Sequence, residues 1–134
     1  KTVRRGDDVT IAAYGDMVIQ SVQAADELAG RGISAEVLDL YSLKPVDSAA
    51  VLASADRTGA LLVVENHQRR NGLGYELADL LLRRGSAVPA FEHLGLDDRF
   101  GESGDYEQVI DKYGLSARRI AAAAEDLAAR RRKA

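Results

Sequence analysis

The chain has 134 residues, 46% of them apolar and 29% charged, with two prolines and a formal net charge of −3. That length suits one domain whose core needs no metal or disulfide staple, and the composition is that of a globular protein. The absence of cysteine excludes a disulfide framework, a thiolate zinc site and a cysteine nucleophile, and fits a reducing compartment such as the cytoplasm. With 18 basic against 21 acidic residues there is no global field drawing in nucleic acid or an anionic membrane. The longest apolar runs, such as residues 60–64, fall far short of the ~20 residues of a membrane span. The chain starts at Lys1 and not at Met, and its apolar run at 9–14 is shorter than the core of a secretory signal. Residues 1–134 read as one excised domain.

Residues 9–14 form a buried strand closed by Gly15, and Asp16 is placed to cap a helix carrying Val18, Val22, Ala25 and Leu28 at helical spacing. Gly30-Arg31-Gly32 stops that helix. Residues 33–40 alternate as a strand, with Ile33, Ala35 and Val37 against Ser34 and Glu36. Leu43-Lys44-Pro45 is extended, since the residue before proline avoids the helical region. Asp47 caps a short helix to about Ala55, and residues 60–65 form the most apolar strand. A polar loop over 66–72 turns at Asn71-Gly72 into a helix over 73–84, ended by Gly85, and residues 88–93 form a further strand. Beyond Gly95 comes a loop rich in Asp and Gly, a helix from Asp105 to about Tyr113, and a last helix capped by Ser116. Alternating strands and helices imply a largely parallel sheet covered on both faces, a three-layer α/β/α sandwich.

Ligands on such sheets sit outside the carboxyl ends of the strands, and the richest such end here is the stretch from Glu65 to Gly74. The backbone N–H groups around Gly72 and Gly74 open a helix and could receive an anion, with Arg69 or Arg70 adding charge. The same Gly-x-Gly also lets helix and strand pack closely, and it lacks the third glycine of a dinucleotide fingerprint. His67 and His93 are the only imidazoles, each near a glutamate, Glu65 and Glu92, with which it could form an acid–base pair. His93 reads as a structural hydrogen bond at a strand end, and His67, in its polar loop, as a contact to a ligand or partner domain. No tight His or carboxylate cluster marks a metal site, and no serine lies in a Gly-x-Ser-x-Gly elbow. The basic run from Arg130 to Lys133 opposes a helix dipole and lacks the interleaved aromatics of a nucleic-acid surface. These residues supply no nucleophile–base–oxyanion set.

Three segments together carry a family resemblance. Val37-Leu38-Asp39-Leu40-Tyr41-Ser42-Leu43-Lys44-Pro45-Val46-Asp47 is one, and Val63-Val64-Glu65-Asn66-His67 followed by Gly72-Leu73-Gly74 is the second. The third is Phe100-Gly101-Glu102-Ser103-Gly104-Asp105-Tyr106 with Lys112-Tyr113-Gly114-Leu115. They resemble the C-terminal domain of transketolase and its thiamine-diphosphate-dependent relatives, over a core of residues 6–127. The first two recur in deoxyxylulose-phosphate synthase and in the β subunit of 2-oxo acid dehydrogenases, while the third points to transketolase. The resemblance implies a mixed sheet of about five strands with one antiparallel strand. Four strands are legible, so a fifth, short one lies within a segment read here as loop. It further implies a complete homodimeric enzyme in which thiamine diphosphate and Mg sit between a pyrophosphate-binding and a pyrimidine-binding domain, neither of them in this chain. One departure is Gln68-Arg69-Arg70-Asn71, which replaces shorter, apolar residues before the family's glycines.

The expectation is therefore a transketolase C-terminal domain, not catalytic by itself and binding no cofactor or metal alone. Two alternatives are the equivalent domain of a 2-oxo acid dehydrogenase β subunit, and a non-catalytic anion-binding or assembly module. His67, Arg69, Arg70, Gly72 and Gly74 are the candidates for anion binding or domain docking.

Overall fold

A computed structural model describes residues 1–84 and 90–131. In chain order the elements are β1 (Thr2–Arg4), β2 (Val9–Ala13), α1 (Met17–Ala29), β3 (Ala35–Asp39), α2 (Ser48–Thr58), β4 (Ala60–Gln68), α3 (Leu73–Arg83), β5 (Ala90–Leu96), α4 (Tyr106–Lys112) and α5 (Ala117–Arg131). The strands form one sheet in the order β1-β3-β2-β4-β5, with β1 antiparallel to β3 and every other pair parallel. This is the mixed five-stranded sheet that the resemblance implied. The fifth strand is β1, three residues in the charged opening segment.

Alternate residues of the central strands feed two cores, as the two-residue period of a strand requires. Ile11, Val37, Leu62 and Val64 pack under α1 and α5, joined by Ile110 of α4. Ala12, Leu38, Leu61 and Val63 pack under α2 and α3. Because both faces are covered, β2 is buried throughout and β3 nearly so. The alternation of residues 33–37 therefore does not place Glu36 in solvent. Glu36 is buried against α2, where Arg57 and Ser54 hold its carboxylate, and Ser54 also meets Thr10 at 2.6 Å.

Local chemistry sets several boundaries as expected. The Asp47 carboxylate accepts from the Ala50 N–H at 3.1 Å to start α2, which runs on to Thr58 before Gly59, at φ +66°, ends it. Asp105 accepts from Gln108 N–H at 3.2 Å to start α4, and Gly114, at φ +77°, follows its end.

Two expected caps are absent. Asp16 makes no side-chain bond to the first turn of α1: its backbone is already helical, at φ −65° and ψ −24°, and one of its carboxylate oxygens is engaged by Tyr106 and Asn66. The Ser116 hydroxyl donates to Asp111, and the Ala117 N–H at the start of α5 is satisfied by Gln20 of α1 at 2.9 Å.

Strand β4 runs three residues further than its apolar run, so Asn66, His67 and Gln68 belong to the strand and not to a loop. Of the remaining expectations, the helix end at Gly85, the strand start at Val88, and Arg132 and Lys133 of the basic run lie outside the described residues. Arg130 pairs with Glu92 at 3.0 Å, and Arg131 donates to the carbonyls of Asp7, Asp8 and Thr58, tying α5 to loops beside the sheet.

Candidate functional site

From β2 the chain leaves toward α1 on one face, and from its neighbour β4 it leaves toward α3 on the other. Diverging connections open a crevice at the carboxyl ends of those strands, the place where α/β sheets receive ligands. An open cleft of about 550 Å³ lies there, with Tyr14, Lys44, Glu65, His67, Asn71 and Tyr75 among its lining residues.

The floor of the cleft is organised by Glu65, which is wholly buried. One carboxylate oxygen meets His93 Nε2 at 2.6 Å and accepts from the Gly74 N–H at 3.1 Å. The other accepts from the Leu73 N–H at 2.9 Å and from the Tyr14 hydroxyl at 3.3 Å. A carboxylate offers about four lone-pair sites, so the group is saturated. Burial pushes the Glu65 carboxyl up, but the bonds from His93, Gly74 and Leu73 outweigh it and hold the pKa below the ordinary value. Tyr14 responds in the opposite sense. Burial, then the adjacent Glu65 charge, pushes its phenol up to about 12, so at neutral pH it is a donor and not a base.

The glycines now have a physical reason. A Cβ on Gly72 would fall inside the Glu65 carboxylate, and one on Gly74 inside the His93 ring. The Gly-x-Gly thus packs helix against strand and also cradles an anion, but the anion is the protein's own Glu65. Neither nearby Glu–His combination anticipated from the sequence forms. His93 pairs with Glu65 across the strands, Glu92 pairs with Arg130, and His67 Nδ1 lies 2.9 Å from the Gln68 carbonyl.

His67 lines the cleft and is exposed, whereas Arg70, also exposed, lies with Arg69 in the neighbouring depression beside Leu96, Asp97 and Asp98. Arg69 turns away, pairing with Asp97 at 2.9 Å beyond the end of β5. Gly72 and Gly74 sit behind them at the helix start.

Sequence reasoning missed a second junction, at Asp16. Its carboxylate accepts from the Tyr106 hydroxyl at 2.8 Å and from the Asn66 side-chain amide at 3.3 Å, joining the starts of α1 and α4 to the end of β4. Burial, then the Asp16 bond, pushes the Tyr106 phenol up to about 12. Within the segment it anchors, the Tyr113 hydroxyl accepts from the Glu102 N–H at 3.1 Å, and Phe100 stands 99% exposed. No local signal in the sequence could have found this junction, because its partners lie 50 and 90 residues apart.

A model of the family described as "Transketolase, C-terminal domain" matches residues 1–120. The chain belongs to this family. Among relatives of this transketolase C-terminal domain is the "6-deoxy-6-sulfo-D-fructose transketolase subunit SqwH" of Clostridium sp. (strain MSTE9), 43% identical over 96% of this chain and 39% of its own length. The "1-deoxy-D-xylulose-5-phosphate synthase" of Syntrophotalea carbinolica (strain DSM 2380 / NBRC 103641 / GraBd1) is 40% identical over 90% of this chain and 19% of its own length. A solved structure, "Split gene transketolase, inactive beta4 tetramer", superposes with a TM-score of 0.88 at 37% identity, over 96% of this chain and 42% of that one. The chain therefore spans less than half the length of these relatives.

Among the described residues no group of three or more His, Cys, Asp or Glu is gathered to hold a metal ion. The amides at the start of α3, where a diphosphate would be met, already serve Glu65. Among the described residues no helix is long and apolar enough to cross a membrane.

Proposed function

We propose that this domain serves a cytoplasmic transketolase that transfers two-carbon ketol units between sugar phosphates, and that its own task is assembly, not chemistry. The observation that carries this reading is the superposition of nearly the whole chain on the split-gene transketolase chain at 37% identity. In this reading thiamine diphosphate and Mg are held by the pyrophosphate- and pyrimidine-binding domains of a homodimeric enzyme. The face that carries His67 and Arg70 meets one of those domains. The saturated floor of the cleft supports the reading, since Glu65 has no lone pair left with which to act as a base.

Calorimetry of this chain with thiamine diphosphate and Mg²⁺ is expected to show no binding, and addition of the missing domains to restore ketol transfer. Micromolar binding by the chain alone would overturn the assignment. A second reading, the corresponding domain of a deoxyxylulose-phosphate synthase, is favoured by the 40% identity to that enzyme. Formation of 1-deoxy-D-xylulose 5-phosphate by the reconstituted enzyme, in place of ketol transfer between sugar phosphates, would select it.

A further inference from the structure

We propose that Glu65 is a positioning residue whose carboxylate acts as a built-in anion at the N-terminus of α3, holding the turn over residues 69–74, and with it Arg70 and the neighbouring His67, in one conformation. The first amides of a helix lack partners within it and present partial positive charge, a need usually met by the side chain of the preceding residue. In α3 that residue is Gly72, which has no side chain to offer. Glu65 supplies the missing acceptor from the adjacent strand, bonding Leu73 N–H at 2.9 Å and Gly74 N–H at 3.1 Å.

The seat is shaped for this group. Gly72 and Gly74 are the residues at which any Cβ would strike the carboxylate or the imidazole that braces it. The far side of the turn is pinned independently, by Arg69 N–H to the Leu96 carbonyl at 2.9 Å and Gly72 N–H to the Arg69 carbonyl at 3.2 Å. With both ends fixed, the turn follows wherever Glu65 holds the helix start. Removing the carboxylate would leave two helix amides, His93 and the Tyr14 hydroxyl converging on a seat the size of a small carboxylate. This inference rests on the assembly reading only for what the turn is presented to.

The test is amide hydrogen exchange and NMR on the full 134-residue chain, with sodium formate as probe and sodium chloride as ionic control. In Glu65→Ala the Leu73 and Gly74 amides should exchange about tenfold or more faster than in the native chain. Formate should restore their protection and the native chemical shifts of residues 69–72, where chloride at equal ionic strength does not. A merely space-filling role for Glu65 predicts no such rescue. Should Glu65→Ala fail to fold, Glu65→Gln keeps the shape without the charge, and the same amides should move upfield and exchange faster. Native-like shifts and exchange in the variant that folds, or equal effects of formate and chloride, would overturn the proposal. Since the measurement needs no partner domain, such a failure would leave the assembly reading standing.

Discussion

Glu65 and His93 lie on neighbouring parallel strands, 28 residues apart, and meet at 2.6 Å with both side chains almost wholly buried. The register explains the meeting. His93 is paired with Val63, so Glu65, two residues further along β4, projects from the same face as a diagonal neighbour. That face is the one covered by α3, whose first amides complete the coordination of the carboxylate.

A pH dependence follows from the depressed Glu65 carboxyl. Its folded-state pKa lies below the ordinary value of 4.5, so its contribution is fully present above that value and is lost as pH falls through the lower folded value. Urea unfolding measured from neutral pH downward should show the native chain losing stability in this window. Glu65→Gln should be destabilised by about 1.5–3 kcal/mol at pH 7, the worth of hydrogen bonds to a charged group, and should lose less on acidification. Parallel pH curves for the two proteins would contradict the account.

Gly74→Ala tests the packing. Alanine favours helix over glycine by roughly 0.5–1 kcal/mol, while forcing a methyl into a packed core costs about 1–3 kcal/mol. The clash should win, because the obstructing atoms belong to a buried ring already fixed by Glu65. Denaturant midpoints should show Gly74→Ala destabilised, and the double variant with His93→Ala less destabilised than the two single changes added, with a coupling of about 0.5–3 kcal/mol. Strict additivity would mean that ring and glycine do not in fact compete for space.

Much of this arrangement was legible from residues close in sequence, and the remainder was not for a common reason. Asp16 and Asp47 are the same residue type, each just before a helix, yet only Asp47 caps. What separates them is backbone conformation, helical at Asp16 and non-helical at Asp47, together with Tyr106, 90 residues on, which takes one oxygen of the Asp16 carboxylate. Nothing near Glu36 in the sequence marks it as buried, because its counter-ion, Arg57, comes 21 residues later on a different element. Strand β1 escaped notice because an edge strand paired on one side needs little apolar surface, and three residues with Arg4 among them show no period. Asn66 to Gln68 extend β4 despite their polarity, since pairing with Leu96 and not burial keeps Gln68 in the sheet. The Gly-x-Gly turn was recognisable as an anion cradle or a packing device. That it is both required knowing that Glu65, eight residues earlier, folds back under it.

The two raised phenols give a readout of both junctions. Tyr14 and Tyr106 are each pushed up to about 12, so the fold favours their protonated forms. The resulting stability is present below the ordinary value of 10.0 and is lost as pH rises toward 12. In a tyrosinate absorbance titration of the folded chain, Tyr14→Phe and Tyr106→Phe should each remove one late-ionising equivalent. Tyr106→Phe should also speed amide exchange across residues 100–106, since the Asp16 bond that ties the start of α4 is gone. If Tyr106→Phe removed an equivalent ionising near 10, the latch would not exist in solution.

The last prediction separates docking from chemistry at His67 and the two arginines that follow it. Arg69 spends its charge on Asp97, whereas Arg70, among the described residues, makes no hydrogen bond or ion pair. In a complete enzyme Arg70→Ala should therefore weaken association with the neighbouring domain directly, by an amount that shrinks as salt is raised, because a rim charge acts through a screened field. Arg69→Ala should act through the loop ends instead, freeing Asp97 and loosening the β4–β5 tips, with little salt dependence. His67 faces the cleft but, among the described residues, has neither a carboxylate partner nor a place in the Glu65 network. Loss of a general acid or base typically costs about 100- to 10,000-fold in rate. His67→Ala, acting only at a docking contact, should leave turnover of the assembled enzyme within about tenfold of the native rate. Steady-state kinetics beside analytical ultracentrifugation at two salt concentrations would decide it. A thousandfold fall in turnover with assembly intact would place His67 in the chemistry and remove the docking assignment.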